Sequence, residues 1–188
     1  MKNIFTFFIF IVFISVYSQN IRYVKSGGTG DGSSWASASG NLQQIMNNSS
    51  SGTQIWVASG TYQPLTGQSF QVKNGVSLYG GFPNTGNPVM ADRNNILNET
   101  ILKGNQYAVI EAMGFGGTIG SSTIIDGFTI KDGSGVAGAG IRMYACDAVF
   151  KNLKITGNTS PQGMGAGINI SYSNPTFIQV LVVNNTSV

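Results

Sequence analysis

The chain has 188 residues, of which only 9% are charged, and a net charge of +3. This charge density excludes the dense basic surface with which proteins bind the phosphate backbone of nucleic acids. One cysteine and no histidine are present, which excludes an intrachain disulfide framework and any imidazole acid, base or metal ligand. The 26 glycines and the many Asn, Ser and Thr residues indicate a surface that is polar through amides and hydroxyls, which suits an extracellular protein.

The N-terminal segment, residues 1–18, has the layout of a secretory signal peptide. Lys2 is followed by an almost unbroken apolar run of about 13 residues, Ile4–Val16, and the expected cleavage falls between Ser18 and Gln19. A membrane anchor is the alternative, but a spanning helix needs roughly 20 apolar residues. No cysteine stands at the cleavage position, which argues against a lipid anchor there. We therefore predict a secreted chain with no transmembrane segment after cleavage.

The mature chain, residues 19–188, is large enough to bury a core and is predicted to form one domain. One helix is expected in "ASGNLQQIMNN", where Leu42, Ile45 and Met46 share an apolar face. We expect this helix to cover the open end of a repetitive fold, within an N-terminal cap of about residues 19–62. Five further segments are expected to form strands: "TQIWVASGTY" at 53–62, "GVSLYGGF" at 75–82, "TILKGN" at 100–105, "YAVIEAM" at 107–113 and "STIIDGFTI" at 122–130.

The C-terminal third of the chain repeats itself. "GAGIRMYACDAVFKNL" from Gly138 and "GAGINISYSNPTFIQV" from Gly165 align at an offset of 27 residues, and "DGFTIKDG" aligns with "KNLKITGN" at an offset of 25. Apolar and polar residues alternate in short stretches of each unit, which is typical of half-buried strands. No unit has room for a helix, which excludes helical repeats. The period is also too short for the four-stranded blades of a propeller.

These observations predict an all-β fold, a parallel β-helix solenoid with a short N-terminal capping helix. Strands of successive coils lie about 4.8 Å apart in such a fold, so equivalent residues stack in ladders. The expected interior ladders are Ile130, Ile155 and Val182, and Phe150 with Phe177. The corner and turn positions are expected to hold Asn158 and Asn185, whose amides would bond to the backbone and to each other, and Gly140 and Gly167, where positive φ or close backbone approach favours glycine.

The opening segments "YVKSGGTGDGSSW", "IWVASGTYQP" and "GVSLYGGFP" resemble the start of secreted bacterial proteins of the pectin-lyase-like superfamily. The later pairing of "GAGI" with "LKITGNTS" or "LVVNNTSV" is similar to the repeats of polymorphic outer-membrane proteins, although Ala139 and Ala166 replace a glycine of that pattern. The resemblance implies a right-handed parallel β-helix. It also implies that the protein is secreted, or lies on the outer-membrane surface of a Gram-negative bacterium.

The resemblance further implies a longer protein. Many proteins of this kind end in a sorting domain that the type IX secretion system reads, and no such domain is visible before Val188. The chain stops in what is expected to be the middle of a coil. We therefore expect that the C-terminal end of the domain is truncated, or that another chain covers the open end.

Many β-helix relatives are polysaccharide lyases or glycoside hydrolases, and the resemblance implies what such enzymes need: clustered carboxylates, or acidic Ca²⁺ ligands with a basic proton acceptor. Asp126 and Asp132 are expected at opposite ends of one strand, and Asp147 is expected in a turn. Arg142 and Lys154 are the candidate bases, but neither aligns with a carboxylate cluster. No catalytic residue is therefore assigned.

The Gly-rich segment "GGTGDGSS" is a weak candidate for a ligand site. It lacks the Lys and the helix that a phosphate-binding loop requires. Asp31 and backbone carbonyls would suit Ca²⁺, but a single carboxylate favours a plain loop. No cofactor is assigned, and Ca²⁺ stays an open alternative.

Aromatic side chains are the remaining candidates for binding. Tyr144 and Tyr172 fall at near-equivalent positions of adjacent coils, four residues after Gly140 and five after Gly167. An exposed pair would form a platform on which sugar rings stack. The alternative is that these tyrosines, like most of the aromatic residues, pack in corners or under the cap.

Two functions remain in competition. The leading hypothesis is a secreted or cell-surface, non-catalytic β-helix repeat protein, an adhesin-like or glycan-contacting structural module. Its partners would be cell-surface or environmental glycans and not nucleic acid. The alternative is the N-terminal part of a pectin-lyase-like polysaccharide lyase or glycoside hydrolase, whose catalytic residues would lie beyond Val188.

Overall fold

The structure, a computed structural model, describes residues 20–188. These residues contain the helix α1 (Leu42–Asn48), a 3₁₀ turn (Met90–Asp92) and strands that pair in parallel. In chain order the strands are β1 (Asn20–Val24), β2 (Thr53–Ala58), β3 (Gly60–Tyr62), β4 (Phe70–Gln71), β5 (Ser77–Phe82), β6 (Thr100–Lys103), β7 (Ile110–Met113), β8 (Ile124–Asp126), β9 (Thr129–Lys131), β10 (Ile141–Tyr144), β11 (Val149–Thr156), β12 (Thr159–Ser160), β13 (Ile168–Ser171), β14 (Thr176–Val183) and β15 (Thr186–Ser187).

Successive coils place their strands on three faces of a parallel β-solenoid of about five turns. The first face contains β1, β2, β5 and β8, and continues into the first halves of β11 and β14. The second face contains β3, β6 and β9, and continues into the second halves of the same two strands. The third face is a separate sheet in the order β4, β7, β10, β13. The predicted all-β parallel β-helix with one short helix is confirmed.

The offsets read from the sequence are the pairing registers of the last coils. Ile155 pairs with Ile130, 25 residues earlier, and Phe150 pairs with Phe177, 27 residues later, with ring centroids 5.5 Å apart. The predicted apolar ladder extends further towards the N-terminus than the repeats showed. Its full course is Tyr62, Leu102, Ile130, Ile155 and Val182. The expected interior position of Val182 was wrong, since it is 46% exposed because no described strand covers the far side of β14.

Two of the expected strands are divided by corners, so the prediction of their continuity was wrong. The segment 122–130 consists of β8 and β9, separated by Gly127 at φ +87° and by Phe128. The segment 53–62 consists of β2 and β3, and Gly60 at φ +145° begins the second strand. Because positive φ redirects the chain, the two strands of each pair lie on different faces. Strand-like residues on both sides of each corner conceal it in the sequence.

The helix α1 lies at the N-terminal end of the solenoid, as predicted. It begins at Asn41, whose side chain accepts a hydrogen bond from the Gln44 backbone N–H at 2.9 Å, a common N-cap arrangement. Leu42, Ile45 and Met46 are buried, and the helix packs against β4 and β1. The helix therefore covers the apolar interior next to the first strand of the third face.

The interior is a continuous apolar core to which all three faces contribute. A second, aromatic cluster lies outside the first face, because Trp56 faces outward between the buried residues Ile55 and Val57. Trp56 stacks on Phe82 with ring centroids 4.8 Å apart. Trp35 joins this cluster, and its indole N–H donates to the Pro88 carbonyl at 2.8 Å. The segment between β1 and α1 thereby seals the outside of the first face.

The predicted signal peptide, residues 1–18, and its cleavage position between Ser18 and Gln19 lie outside the described residues. Within residues 20–188, no helix combines the length and the apolar character that crossing a membrane requires. Truncation of the C-terminal end stays a prediction.

Candidate functional site

A polar row follows the outer surface of the third face. The side chains alternate along its strands, and the buried Ile110 and Ile141 face the core. The positions next to them point away from the core. In register from coil to coil these outward positions hold Gln71, Glu111, Arg142 and Asn169.

The Glu111 carboxylate links three coils of this row. It accepts a hydrogen bond from Gln71 Nε2 at 2.7 Å through Oε2. Its other oxygen, Oε1, lies 3.4 Å from Arg142 Nη1 and forms an ion pair with it. The Arg142 side chain is 42% exposed, and the described residues engage none of its other nitrogens. The polar row therefore presents unused guanidinium donors to solvent.

Three aromatic side chains, Phe115, Tyr144 and Tyr172, lie beside the polar row and are called the aromatic row below. The Phe115 and Tyr144 ring centroids are 5.6 Å apart, and those of Tyr144 and Tyr172 are 5.3 Å apart. The rings are tilted by 33° and 65° to each other. Their exposed fractions are 78% for Phe115, 37% for Tyr144 and 87% for Tyr172. The two tyrosines predicted from the sequence therefore lie together in solvent, in an edge-on arrangement.

Strand register places the aromatic row on the same surface as the polar row. Tyr144 ends β10 two residues after Arg142, so both side chains point outward, about 7 Å apart along the strand. Tyr144 pairs with Met113 in β7 and with Ser171 in β13. Tyr172 therefore follows one position later in its own coil than Tyr144 does.

A constrained corner holds Tyr172. Its φ is +49°, and Ala145, at the equivalent position one coil earlier, has φ +48°. The Ser173 hydroxyl donates to the Ser171 carbonyl at 2.7 Å and accepts from the Cys146 backbone N–H at 2.9 Å. These bonds tie the corner to the preceding coil, so the exposed ring is carried by an ordered backbone.

Phe115 was not identified from the sequence. It follows β7 in the glycine-flanked segment "GFGG", at a position without a counterpart in the repeat. An aromatic residue between glycines directly after a strand was the available signal. Its proximity to Tyr144 depends on the register of β7 against β10, which pairs residues 31 positions apart and is not visible in the repeat.

The predicted repeat residues form the corner between the second and third faces. Asn158 is fully buried; its Oδ1 accepts from the Gly133 N–H at 2.9 Å, and its Nδ2 donates to Asn185 Oδ1 at 2.8 Å. Gly140 and Gly167 do not have positive φ. A Cβ on Gly140 would collide with the Gly167 carbonyl oxygen. Close approach, one of the two reasons expected, accounts for these glycines.

The carboxylates considered for catalysis are engaged separately. Asp126 lies 3.2 Å from Arg93 Nη2, while Asp132 pairs with Lys131 at 3.5 Å. Asp126 ends β8 and Asp132 follows β9. The expectation that they lie at opposite ends of one strand was therefore wrong. Asp147 Oδ1 accepts from the Asn174 N–H at 2.7 Å, an arrangement typical of a turn-forming residue.

The Gly-rich segment contains an Asx turn. Asp31 Oδ1 accepts from the Ser33 N–H at 2.9 Å, and hydrogen bonds from the Ser33 side chain and backbone lower the pKa of Asp31. Within residues 20–188, no group of three or more Cys, Asp and Glu side chains has an arrangement that could hold a metal ion. Cys146 is buried, and this burial raises the pKa of its thiol.

Most of the other aromatic side chains pack against the protein, although Tyr107 is 37% exposed. Trp35 and Trp56 are buried in the cluster outside the first face. Tyr79 packs at the edge of that cluster, with the Arg93 guanidinium 5.2 Å from its ring centroid. Tyr62 is buried in the core. The alternative of packed aromatic side chains holds for these residues, whereas Tyr144 and Tyr172 are exposed.

The fold and this surface define a parallel β-solenoid repeat protein whose third face carries adjacent aromatic and polar rows. The chain belongs to the family described as "Protein of unknown function (DUF1565)", which matches residues 29–187. Comparison with curated proteins found no match. Comparison with solved structures found no match either.

Proposed function

We propose that this chain is a secreted or cell-surface, non-catalytic β-helix repeat protein that contacts glycans through the aromatic row. The observation that carries the proposal is the cluster of Phe115, Tyr144 and Tyr172, three neighbouring and exposed rings on one surface of the solenoid. Large exposed aromatic groups in a contiguous patch are a mark of interaction sites. Sugar rings have apolar C–H faces that suit such a patch.

The adjacent polar row supplies the second half of a sugar-binding surface. Arg142 donates, Glu111 accepts, and the amide of Asn169 does both. Ligand sites combine apolar contact area with a few placed polar groups that determine orientation. Partners of this chemistry are cell-surface or environmental glycans. The resemblance to pectin-lyase-like and polymorphic outer-membrane proteins supports an extracellular location.

Binding of residues 19–188 to an array of bacterial, plant and animal glycans tests the proposal. We expect the double variant Tyr144→Ala with Tyr172→Ala to bind its best glycan at least tenfold more weakly, which corresponds to about 1.4 kcal/mol. Leu97→Ala is the matched control, because Leu97 is a large exposed side chain elsewhere. Circular dichroism melting checks that each variant is folded.

Two results would contradict the proposal. A folded sample that binds no glycan removes the glycan-contacting role and leaves a structural module. Cleavage of a uronate polymer, abolished by a chelator, contradicts the non-catalytic role and favours a polysaccharide lyase. A cleavage assay on uronate polymers, run beside the glycan array, therefore separates the non-catalytic module from the polysaccharide lyase.

Secretion is tested independently of binding. Expression of the full chain in a Gram-negative host should yield an extracellular or outer-membrane-associated product whose N-terminal residue is Gln19. A product that stays in the cytoplasm and begins at Met1 contradicts this part of the proposal.

A further inference from the structure

A groove with a volume of about 590 Å³ lies between α1 and the segment 63–68 that follows β3. It is at the opposite end of the third face from Tyr172, because α1 packs against β4 and the sheet order runs β4, β7, β10, β13. The groove therefore shares no residue with the aromatic row.

Most residues that line this groove are Asn or Gln, and none of them is charged. A primary amide offers both donors and an acceptor, so a surface of several amides can pair with neighbouring hydroxyl groups in either direction. The charged groups beside it are of opposite sign: Lys73 Nζ donates to the Asn47 carbonyl at 2.8 Å, and Glu111 lines an adjoining depression that shares Gln43, Asn47 and Gln68 with the groove. The groove therefore gives little net electrostatic advantage to an ionic ligand. This lining favours a neutral ligand rich in hydroxyl groups.

Part of the amide lining is committed to the protein and part is free. Gln43 Nε2 donates to Asn47 Oδ1 at 2.7 Å, and Gln63 Nε2 donates to the Gly104 carbonyl at 2.9 Å. These bonds orient the lining. The free part consists of the side-chain amides of Gln44, Asn48 and Gln68, all three exposed at the rim of the groove, and no hydrogen bond within residues 20–188 engages them.

The geometry disfavours an extended peptide as the occupant. A peptide strand would add to the edge of the third face at β4, but the Gln71 N–H at that edge already donates to Gln43 Oε1 at 2.9 Å. The rim instead carries Leu65, which is 73% exposed. An apolar rim beside amides matches a sugar, which has an apolar ring face and a hydroxylated edge.

We propose that this groove is a binding site for a neutral oligosaccharide, with Gln44, Asn48 and Gln68 as its hydrogen-bonding residues and Leu65 as its apolar contact. The site goes beyond the proposed function, because it uses other residues and is selective for uncharged glycans. Binding here is expected to be independent of ionic strength.

The experiment is a ¹⁵N-labelled NMR titration of residues 19–188 with cellohexaose, xylohexaose, mannohexaose and maltohexaose. Hexagalacturonate and an unstructured decapeptide serve as charged and peptide probes. We expect a neutral hexasaccharide to shift the side-chain NH₂ signals of Gln44, Asn48 and Gln68, equally at 20 and 500 mM NaCl. Shifts with the decapeptide or hexagalacturonate alone, shifts elsewhere only, or no shifts with any probe would overturn the proposal.

Variants separate this site from the aromatic row. Gln44→Ala with Gln68→Ala should weaken binding of the neutral hexasaccharide at least fivefold, whereas Gln162→Ala, an exposed amide outside the groove, should leave it unchanged. Tyr144→Ala with Tyr172→Ala should leave the groove's affinity unchanged. Loss of binding in the tyrosine variant alone would support the proposed function and overturn the proposal of a site in the groove. If a groove variant fails to fold, the chemical-shift map of the unmutated chain decides whether the ligand binds in the groove.

Discussion

Residues with a left-handed backbone conformation occupy equivalent corners in successive coils. The bend between the first and second faces is made by Gly127 at φ +87°, Asn152 at +48° and Gln179 at +54°. Their spacings of 25 and 27 residues are the repeat offsets. Non-glycine residues in this conformation cost roughly 1 kcal/mol each, so the strand pairing around them stabilises the bend. Asn152 offsets part of this strain, because its amide donates to Asp126 at 2.7 Å.

Gly140 is expected to tolerate no side chain. A Cβ there would lie 2.8 Å from Ile155 Cγ2 and 3.0 Å from Asn158 Nδ2, besides meeting the Gly167 carbonyl. Gly140→Ala should therefore lower the free energy of unfolding by about 1–3 kcal/mol, measured by urea denaturation. Gly120→Ala is the control, since its nearest neighbour would be Asn74 Oδ1 at 3.8 Å. Equal effects of the two substitutions would refute close approach as the reason for glycine.

Tyr62 is expected to make stability fall at alkaline pH. Its hydroxyl donates to the Ala58 carbonyl at 2.8 Å and accepts from the Ser26 N–H at 3.1 Å, and burial raises its pKa. In the unfolded chain tyrosine ionises near pH 10, whereas the folded phenol keeps its proton. The unfolded state therefore binds fewer protons above about pH 10, and stability decreases as the pH rises further.

Urea denaturation between roughly pH 9 and pH 11 measures this effect. The free energy of unfolding should fall by about 1 kcal/mol through Tyr62 over this range. Tyr62→Phe should lower stability at neutral pH, because the Ser26 N–H loses its acceptor, but should show a shallower alkaline decline. An unchanged pH slope in the variant would show that another group is responsible.

At the scale of elements, an asparagine ladder joins coils at the corner between the second and third faces. Asn158 Nδ2 lies 3.2 Å from the Ile130 carbonyl, while its Oδ1 accepts from Gly133. Asn158→Ala would remove the acceptor of the buried Gly133 N–H and a donor to the Ile130 carbonyl, and should destabilise the protein by about 3 kcal/mol. Asn185→Ala lies in a more exposed coil and should lower the free energy of unfolding by less than Asn158→Ala does. Chemical denaturation compares the two, and a larger loss for Asn185 would contradict the argument.

The residues between β5 and β6, 83–99, form an insertion that Arg93 fastens to the first face. Its Nε donates to the Gly80 carbonyl at 2.7 Å, and its guanidinium pairs with Asp126. Arg93→Ala leaves a largely buried carboxylate with a weaker set of partners, so we expect a loss of about 2 kcal/mol and faster proteolysis within residues 83–99.

Arg142→Ala is the matched control for the insertion. Arg142 also pairs with one carboxylate, at 3.4 Å, but its side chain is far more exposed. We expect Arg142→Ala to lower the free energy of unfolding by less than about 1 kcal/mol and to leave proteolytic cleavage of the insertion unchanged. If both arginine variants accelerated that cleavage equally, Arg93 would not be the fastening residue.

At the scale of the whole molecule, the protection of backbone amides against hydrogen exchange is expected to vary along the solenoid axis. β11 pairs with β8 and β9 on one side and with β14 on the other. The side chains of β14 are mostly exposed, and within the described residues β11 is its only partner strand. Amide exchange in β11 should be slower than in β14 by roughly tenfold or more, measured by hydrogen exchange. Uniform exchange across both strands would instead indicate that the solenoid opens as one unit.

Much of the fold was predictable, because the evidence for it is local and repeated. Alternating apolar residues at offsets of 25 and 27 predicted the pairing of Ile155 with Ile130 and of Phe150 with Phe177. The signal disappears where coils are unequal. Leu78 pairs with Ile125, 47 residues away, because the insertion 83–99 interrupts the coil. Corners at Gly60 and Gly127 were also missed, because a strand-forming segment lies on each side of them.

The candidate surfaces were predictable only in part. Tyr144 and Tyr172 could be paired because the repeat aligns their coils. Phe115 could not, because no repeat relates its loop to them. The amide groove was also not predictable, since it requires α1 and the segment 63–68 to meet in space.

The sequence by itself determined the period, the parallel stacking and the capping helix, because each can be read from one short segment or from two aligned repeats. The tertiary structure decided which side chains meet outside the core. The polar row, the aromatic row and the groove each combine residues from coils of unequal length, and such neighbours follow from the register of whole strands. That register is set by packing of the shared apolar interior, so it appears only when the coils are assembled.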